Sequence, residues 1–131
     1  MKHARHEDQK SAACQQSIGA IRDTLYVLSG KWKLPIIVAL SAGPLRFKDL
    51  QRSLEDITPK ILSKELKELE LNEFVTRTVY ATSPVTVEYA LTQYSESLDS
   101  IIEKMREWGL QHRKRMMNSS RKKKQGMLQE A

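Results

Sequence analysis

Apolar residues recur every three or four positions in several stretches of the chain, a spacing that predicts helices with one buried face. The first predicted helix begins at Ser17, a residue type that caps helices, and ends at Gly30. The second covers Trp32 to Leu40, before Gly43 and Pro44. Their apolar faces consist of Ile18, Ile21, Leu25 and Leu28 in the first helix and of Trp32, Ile36, Ile37 and Leu40 in the second.

A third and a fourth helix follow, separated by a short turn. The third covers about Phe47 to Leu54. Thr58 and Pro59 predict the start of the fourth, because threonine caps helices and proline is tolerated in the first turn. This fourth helix runs to about Asn72. The inward-facing residues are Phe47, Leu50 and Leu54 in the third helix and Ile61, Leu62, Leu66 and Leu69 in the fourth.

Two stretches of alternating type come next, at Phe74–Ala81 and Val85–Leu91, and they predict one β-hairpin, a wing. Ser97 then caps a long fifth helix that extends to about Met117. This order of elements predicts a mainly α fold with a small β-hairpin, a winged helix-turn-helix. The fifth helix carries Leu98, Ile101, Ile102, Met105, Trp108, His112 and Met116 at helical spacing.

One face of the fourth helix is polar and basic, opposite its apolar stripe. The helix start is free of acidic residues and carries the positive end of the helix dipole, so we expect this end to point at DNA. A helix in the major groove reads bases with its first turns. The alternative is a solvated lysine face. The candidate DNA contacts are Thr58, Pro59, Lys60, Ser63, Lys64 and Lys67, with Lys67 at a phosphate.

The wing and the third helix supply further candidate DNA contacts. Arg77 is the favoured wing residue, since Thr and Tyr are also common simply as strand residues. Arg46, at the start of the third helix, either binds a phosphate or pairs with Glu55 or Asp56, and Lys48 lies outward on that helix. The wing hydroxyls near the turn belong to Thr78, Tyr80, Thr82, Ser83 and Thr86, of which Thr78 and Ser83 are taken as candidate contacts.

The last helix has more apolar surface than a small closed domain needs, which predicts that a second copy covers it. A two-fold dimer would place two reading helices about 34 Å apart, as palindromic sites require. The alternative is that this helix folds back on its own domain. The predicted dimerisation residues in the N- and C-terminal helices are Ile18, Ile21, Leu98, Ile101, Ile102, Met105, Trp108 and His112.

Composition agrees with a polyanionic partner: 22 Lys and Arg against 16 Asp and Glu give a net charge of +6 and a pI near 9.5. No apolar run reaches the roughly 18 residues of a membrane span, and the N-terminus lacks a signal-peptide core, so we expect a cytoplasmic protein. The predicted organisation is a flexible tail at 1–13, a domain with its dimerisation helix at 14–117 and a basic flexible tail at 118–131.

The single cysteine, Cys14, rules out an intramolecular disulfide. Its predicted place just before the first helix would let the helix dipole lower the pKa of its thiol, which makes Cys14 a candidate redox sensor. The alternative is a small buried apolar residue. His3, His6 and His112 are irregularly spaced, so no metal or other cofactor is predicted, and the absence of catalytic motifs predicts a protein that is not an enzyme.

Several short motifs carry a resemblance to a known family. They are Cys14, Gly30-Lys31-Trp32, Gly43-Pro44-Leu45-Arg46-Phe47 with Leu50, Ile57-Thr58-Pro59-Lys60 with Leu62, Leu66 and Leu69-Glu70, and Val87-Glu88-Tyr89 with Leu91-Thr92. From about Cys14 to Trp108 the chain resembles the HxlR-type winged helix-turn-helix regulators of bacteria. The resemblance implies a dimeric transcription factor whose terminal helices pair, and a cysteine that senses electrophiles, aldehydes or oxidants in several relatives.

Three positions depart from the pattern of that family: Gln15 replaces a common proline, Pro84 stands where two prolines are frequent, and Ser95 replaces a glycine. The sequence thus predicts a sequence-specific, dimeric regulator of a palindromic operator, with double-stranded DNA as partner and a small molecule or oxidant as a candidate effector. Trp32 and Trp108 are candidate lining for an effector pocket, with core packing as the alternative. The alternative functions are a nonspecific architectural DNA binder and a protein-interaction module.

Overall fold

The computed structural model describes the backbone of residues 2–130 and the side chains of residues 11–128. Along the chain it divides into two units, 1–92 and 93–131, each described below by itself. The elements of the first unit are α1 (Lys2–Val27), α2 (Lys33–Leu40), β1 (Leu45–Arg46), α3 (Phe47–Ser53), α4 (Pro59–Leu71), β2 (Val75–Tyr80) and β3 (Thr86–Leu91). The second unit contains a 3₁₀ helix (Tyr94–Leu98) and α5 (Asp99–Glu130).

The core of the first unit lies where α2 packs against α3, α4 and β3. Apart from Val75 of β2, its completely buried side chains come from the apolar helix stripes that the spacing of the sequence predicts, because each stripe removes one helix face from water. The helix-turn-helix of α3 and α4 and the hairpin of β2 and β3 confirm the predicted winged helix-turn-helix. The side chains least exposed in this core are those of Ile36, Ile37, Leu40, Leu50, Leu62, Leu66, Leu69 and Val75.

The sheet has three antiparallel strands in the order β1-β3-β2. Strand β1 was missed in the sequence, because two residues are too few to show an alternating pattern. Arg46 of β1 lies opposite Glu88 of β3, and Arg77 of β2 lies opposite Tyr89. The 81–85 turn contains a cis peptide bond between Ser83 and Pro84.

Both ends of α4 have defined caps. The Thr58 hydroxyl oxygen accepts a hydrogen bond from the backbone N–H of Ile61 at 3.2 Å, as the sequence predicts. Ile61 itself is 39% exposed, so it lies at the edge of the buried stripe and not within it. At the other end Glu73 adopts φ 65° and Phe74 N–H donates to the Leu69 carbonyl at 3.0 Å, a Schellman cap in which glycine is the usual residue.

The terminal helices are longer than predicted. Ser17 does not cap α1 but lies inside it, where its hydroxyl donates to the Ala13 carbonyl at 2.9 Å. Ser97 likewise lies in the 3₁₀ helix, and α5 continues past Met117 to Glu130. Both extensions contain Lys, Arg and Gln, and that of α1 also contains Ala; these residues favour helix without forming an apolar stripe, so periodicity could not detect the extensions. The helices cross the predicted boundaries at residues 13 and 117, and the domain division there stays a prediction.

The described helices include none that combines the length and the apolar character needed to span a membrane. Instead, the apolar residues of α1 and α5 alternate with charged ones and remain largely in solvent. Ile21 is 60% exposed on α1 and Trp108 is 65% exposed on α5. With this exposure, Trp108 does not pack in a core of the unit that contains it.

Candidate nucleic-acid interface

The polar face of α4 is the best-formed candidate interface. Its six predicted contact residues, Thr58, Pro59, Lys60, Ser63, Lys64 and Lys67, are all exposed. They lie opposite the buried Leu62, Leu66 and Leu69. Helix geometry leaves the amide of Lys60 without an intrahelical acceptor, so the first turn offers a backbone donor and an ammonium group together at the positive end of the dipole. This end of α4 is therefore suited to an anionic partner.

A buried lysine is the ion-pair partner of two of the three acidic residues of α4. Lys33 Nζ lies 2.7 Å from Glu65 Oε2 and 2.6 Å from Glu68 Oε2, and the Lys33 side chain is only 7% exposed. The same ammonium lies 3.5 Å from the carbonyl oxygen of Ser29. Two of the acids on α4 thus face a cation of α2, while Lys60, Lys64 and Lys67 face solvent.

The electrostatic environment of this cluster favours the charged forms of Lys33 and Glu68, the two groups whose pKa values shift. Burial acts to lower the pKa of Lys33, but its hydrogen bonds with Glu65 and Glu68 and their negative charges outweigh burial, so this pKa is raised. The hydrogen bond from Lys33 lowers the pKa of Glu68, against a smaller opposing effect of burial and with added attraction from Lys33 and Lys64. At neutral pH Lys33, Glu65 and Glu68 therefore form an ion-pair network with one net negative charge, and Lys64 also attracts Glu68.

The two candidate contacts near α3 are both exposed. Arg46 precedes α3 and Lys48 lies in its first turn. Among the described side chains, neither predicted acid, Glu55 or Asp56, forms an ion pair with Arg46; its cross-strand neighbour is Glu88. The predicted alternative, an ion pair of Arg46 with Glu55 or Asp56, is therefore wrong. Arg46 lies at the surface, and Glu88 is an acidic neighbour that the sequence did not indicate.

The wing separates its candidate contacts by face. Residues paired across strands share a face of the sheet, so Arg77 lies on the face of Tyr89, whereas Thr78 shares the other with Glu88. Arg77, Thr78 and Ser83 are exposed. The Thr82 hydroxyl donates to the Pro84 carbonyl at 2.8 Å, so this residue holds the turn. Arg77 is therefore a cation of the wing on the face opposite Glu88.

The predicted dimerisation residues are mostly exposed within the single chain. Ile18 and Ile21 are exposed on α1, as are Ile101, Met105, Trp108 and His112 on α5, and Ile102 is half-buried. The rings of Trp108 and His112 are stacked with centroids 4.8 Å apart. Leu98 differs from these residues, because it lies in the 3₁₀ helix with only 7% of its surface exposed and offers little surface to a second copy.

Cys14 is exposed, which contradicts the alternative of a buried apolar residue. It lies inside α1, which begins at Lys2, and not at a helix start. The predicted position of Cys14 just before the first helix is therefore wrong. Among the described side chains no three His, Cys, Asp or Glu residues could together hold a metal ion; those of His3 and His6 lie outside that part of the chain.

Sequence reasoning missed the Lys33 cluster, although a signal for it exists. Lys33 occupies the same helical stripe as Ile36, Ile37 and Leu40. A lysine on a buried stripe needs a counter-ion, because a buried unpaired charge is very costly. The repeated acids at Glu65 and Glu68, beside the buried stripe of α4, were the available partners.

Comparison with known proteins agrees with this fold. The model of the HxlR-like helix-turn-helix family matches residues 27–117. The uncharacterised HTH-type transcriptional regulator YtcD of Bacillus subtilis is 39% identical over 93 residues, which cover 71% of this chain and 74% of YtcD. Cys14 lies outside the 27–117 match.

Two solved structures are similar in fold and carry redox descriptions. The redox regulator HypR in its reduced form has a TM-score of 0.71 at 35% identity, covering 76% of this chain and 98% of HypR. The reduced form of the transcriptional regulator YodB from B. subtilis has a TM-score of 0.63 at 36% identity, covering 68% and 87% of the two chains. With the family match, these likenesses show that the chain belongs to the HxlR-like helix-turn-helix family of transcriptional regulators.

Proposed function

We propose that this regulator binds double-stranded DNA as a homodimer and reads a palindromic operator through α4. The observation that carries the proposal is the exposed row of Lys60, Lys64 and Lys67, on the helix whose Glu65 and Glu68 are paired with the buried Lys33. In the proposed complex, Thr58, Pro59, Lys60, Ser63 and Lys64 lie at base edges and Lys67 at a phosphate.

In this proposal, residues of the wing and residues beside α3 add DNA contacts to those of α4. Arg77, with Thr78 and Ser83, contacts the minor groove or phosphates from the wing, and Arg46 and Lys48 contact phosphates beside α3. Arginine suits such a wing position because its planar donors can bind phosphate in pairs. The role is one of binding and not of catalysis, and it places the protein in the cytoplasm with the DNA.

Homodimerisation is supported by the exposed apolar residues of α1 and α5. Ile18, Ile21, Ile101, Met105 and Trp108 would each lose contact with water when a second copy packs against them, and each is more than a third exposed in the single chain. The Trp108–His112 stack presents a rigid aromatic surface of the kind that anchors interfaces. A two-fold dimer then matches the two halves of a palindrome.

The experiment that tests this function is fluorescence anisotropy with two duplexes. One duplex is selected from a random pool by the purified protein, and the other has the same composition in scrambled order. Lys64→Ala should weaken binding to the selected duplex about 5- to 150-fold, since a lost base contact costs about 1–3 kcal/mol. Lys104→Ala, which removes an exposed lysine of α5, is the control. Equal binding of both duplexes by the unaltered protein would favour an architectural binder.

A second proposal is that oxidation of Cys14 regulates DNA binding. It is supported by the exposure of this thiol and by the similarity to HypR and YodB, of which HypR is described as a redox regulator. An exposed thiol is open to an oxidant or electrophile, which is then the effector. Diamide should release the protein from the selected duplex, and Cys14→Ser should abolish this response; a response that survives the substitution would exclude Cys14.

A further inference from the structure

The C-terminal half of α5 carries a dense group of cations. Seven of the twelve residues from Arg113 to Lys124 are Lys or Arg, more positive charge than the net +6 of the whole chain. The sequence has no Asp or Glu between Glu107 and Glu130. All seven side chains are exposed on one uninterrupted helix. The charge is therefore held on a regular scaffold.

These cations occupy a defined side of the helix. At about 100° per residue, six of the seven fall within an arc of about 200°. Met105, Trp108, His112 and Met116 fall in the remaining part of the circumference. Lys123 also falls there, so a partner helix packed on that apolar side would leave the other six cations in solvent. We call the cationic side the basic face; it consists of Arg113, Lys114, Arg115, Arg121, Lys122 and Lys124.

Neighbouring acids do not neutralise the basic face. Among the described side chains, the ion pairs of α5 join Lys104 to Glu107 and Arg106 to Glu103, and both precede Arg113. Like charges this close repel one another, and the repulsion is relieved when an anionic partner binds. The region also extends beyond residue 117, where the match to the family model ends.

We propose that the basic face binds backbone phosphates of the DNA beside the operator, without reading sequence. This inference rests on the proposed function, which already brings the chain to DNA. Charge complementarity supports it, since duplex DNA carries one negative charge per about 1.7 Å of its axis. From Arg113 to Lys124 the helix rises about 17 Å, comparable to half a turn of DNA. The basic face thereby adds affinity to every duplex equally.

The test is the salt dependence of DNA binding by full-length variants. Arg121→Gln/Lys122→Gln removes two cations of the basic face, and Lys104→Gln/Arg106→Gln removes two from the preceding part of α5. Glutamine preserves helix propensity, which circular dichroism verifies. Each double variant lowers the net charge by the same amount. Anisotropy is recorded over a series of KCl concentrations with the selected and the scrambled duplexes.

We expect the Arg121→Gln/Lys122→Gln variant to reduce the slope of log K against log salt by about 1.8 per chain, at about 0.9 per phosphate contact. Affinity should fall about tenfold or more for both duplexes, with the ratio between them preserved, and the control slope should stay unchanged. Equal slope changes in the two variants would overturn the inference, because they would reflect net charge alone.

An unchanged slope for Arg121→Gln/Lys122→Gln would also overturn the inference about the basic face. The same conclusion holds if this variant keeps its slope on DNA but loses binding to vesicles of anionic phospholipid. The proposed function is judged separately in the same data, by the ratio of affinities of the unaltered protein for the two duplexes. A ratio near one contradicts sequence-specific reading. The difference in slope between the variants still decides whether the basic face binds phosphates.

Discussion

Lys33 of α2 donates a hydrogen bond to Glu65 of α4 across 2.7 Å, and the two side chains are 7% and 13% exposed. This contact fixes the helix that carries the candidate DNA contacts to the helix at the centre of the core. It also removes an acidic charge from the surroundings of Lys60, Lys64 and Lys67. The fold and the proposed function therefore depend on the same ion pair.

Replacement of Lys33 by methionine should destabilise the protein by roughly 2–4 kcal/mol, because the loss of one partner leaves a buried charge unpaired. Urea unfolding followed by circular dichroism measures this free energy. The matched control is Lys33→Met with Glu65→Gln and Glu68→Gln, which leaves no unpaired charge and should recover much of the loss. Equal stabilities of the single variant and the unaltered protein would show that the pair contributes nothing.

The ion-pair network should make stability fall at low pH. The pKa of Glu68 is lowered in the folded chain, chiefly by its hydrogen bond with Lys33. Its contribution is therefore complete above the unfolded pKa of about 4.3 and is lost as the pH falls through the lower folded pKa. Unfolding free energies of the unaltered protein and Glu68→Gln should converge as the pH decreases from 7 through this range. A constant difference would contradict the assignment.

Lys33 has the opposite dependence on pH. Because its pKa is raised in the folded chain, its stabilising contribution is complete below the unfolded value of 10.5 and is lost as the pH rises through the folded pKa. Comparison with the variant that lacks all three charges isolates this effect. The stability advantage of the unaltered protein should shrink in strongly alkaline solution; an advantage that grows with pH would contradict the raised pKa.

Replacement of Glu73 by glycine should stabilise the folded protein. Its φ of 65° is strained for a residue with a β-carbon, and the backbone hydrogen bonds of the cap do not need its side chain. Glu73→Gly should raise the unfolding free energy by about 1 kcal/mol, measured by thermal or urea unfolding. Glu73→Ala keeps the β-carbon and should give no such gain. Equal effects of the two substitutions would mean that the left-handed conformation is not the cause.

Removal of apolar surface from α5 should weaken the proposed dimer. Trp108→Ala deletes a side chain that is 65% exposed in the single chain and should raise the dimer dissociation constant at least tenfold, as truncation of an interface anchor does. Sedimentation equilibrium measures this constant. Leu71→Ser, at a similarly exposed apolar residue of α4, is the control. A dissociation constant unchanged by Trp108→Ala would place the interface elsewhere.

The parts of the fold that can be predicted are those with a local signal in the sequence. Thr58 and Pro59 mark the start of α4 by capping chemistry, and the leucines that follow identify its buried face. The alternation of Val, Thr and Tyr likewise locates the two wing strands. Each of these features depends on residues that are close together in the sequence, so one amino-acid sequence is enough to predict it. The candidate contacts on α4 follow directly, because the exposed face lies opposite the buried one.

The features that were missed depend on distant residues or lack a periodic pattern. Lys33 meets Glu65 only after α2 and α4 pack, and β1 exists only because Leu45 and Arg46 pair with β3. The extensions of α1 and α5 form helix without an apolar stripe. Glu73 violates the preference for glycine in a left-handed cap, so residue type alone could not indicate its conformation.

In the proposed complex, two copies of α4 read the two halves of a palindrome. Hydroxyl-radical footprinting on the selected duplex detects this arrangement. We predict two protected segments centred about one helical turn, roughly 34 Å, apart, and loss of both with Lys60→Ala/Lys64→Ala while Lys104→Ala preserves them. A single protected segment, uniform protection along the duplex, or a footprint unaffected by the loss of Lys60 and Lys64 would contradict reading of a palindrome by two copies of α4.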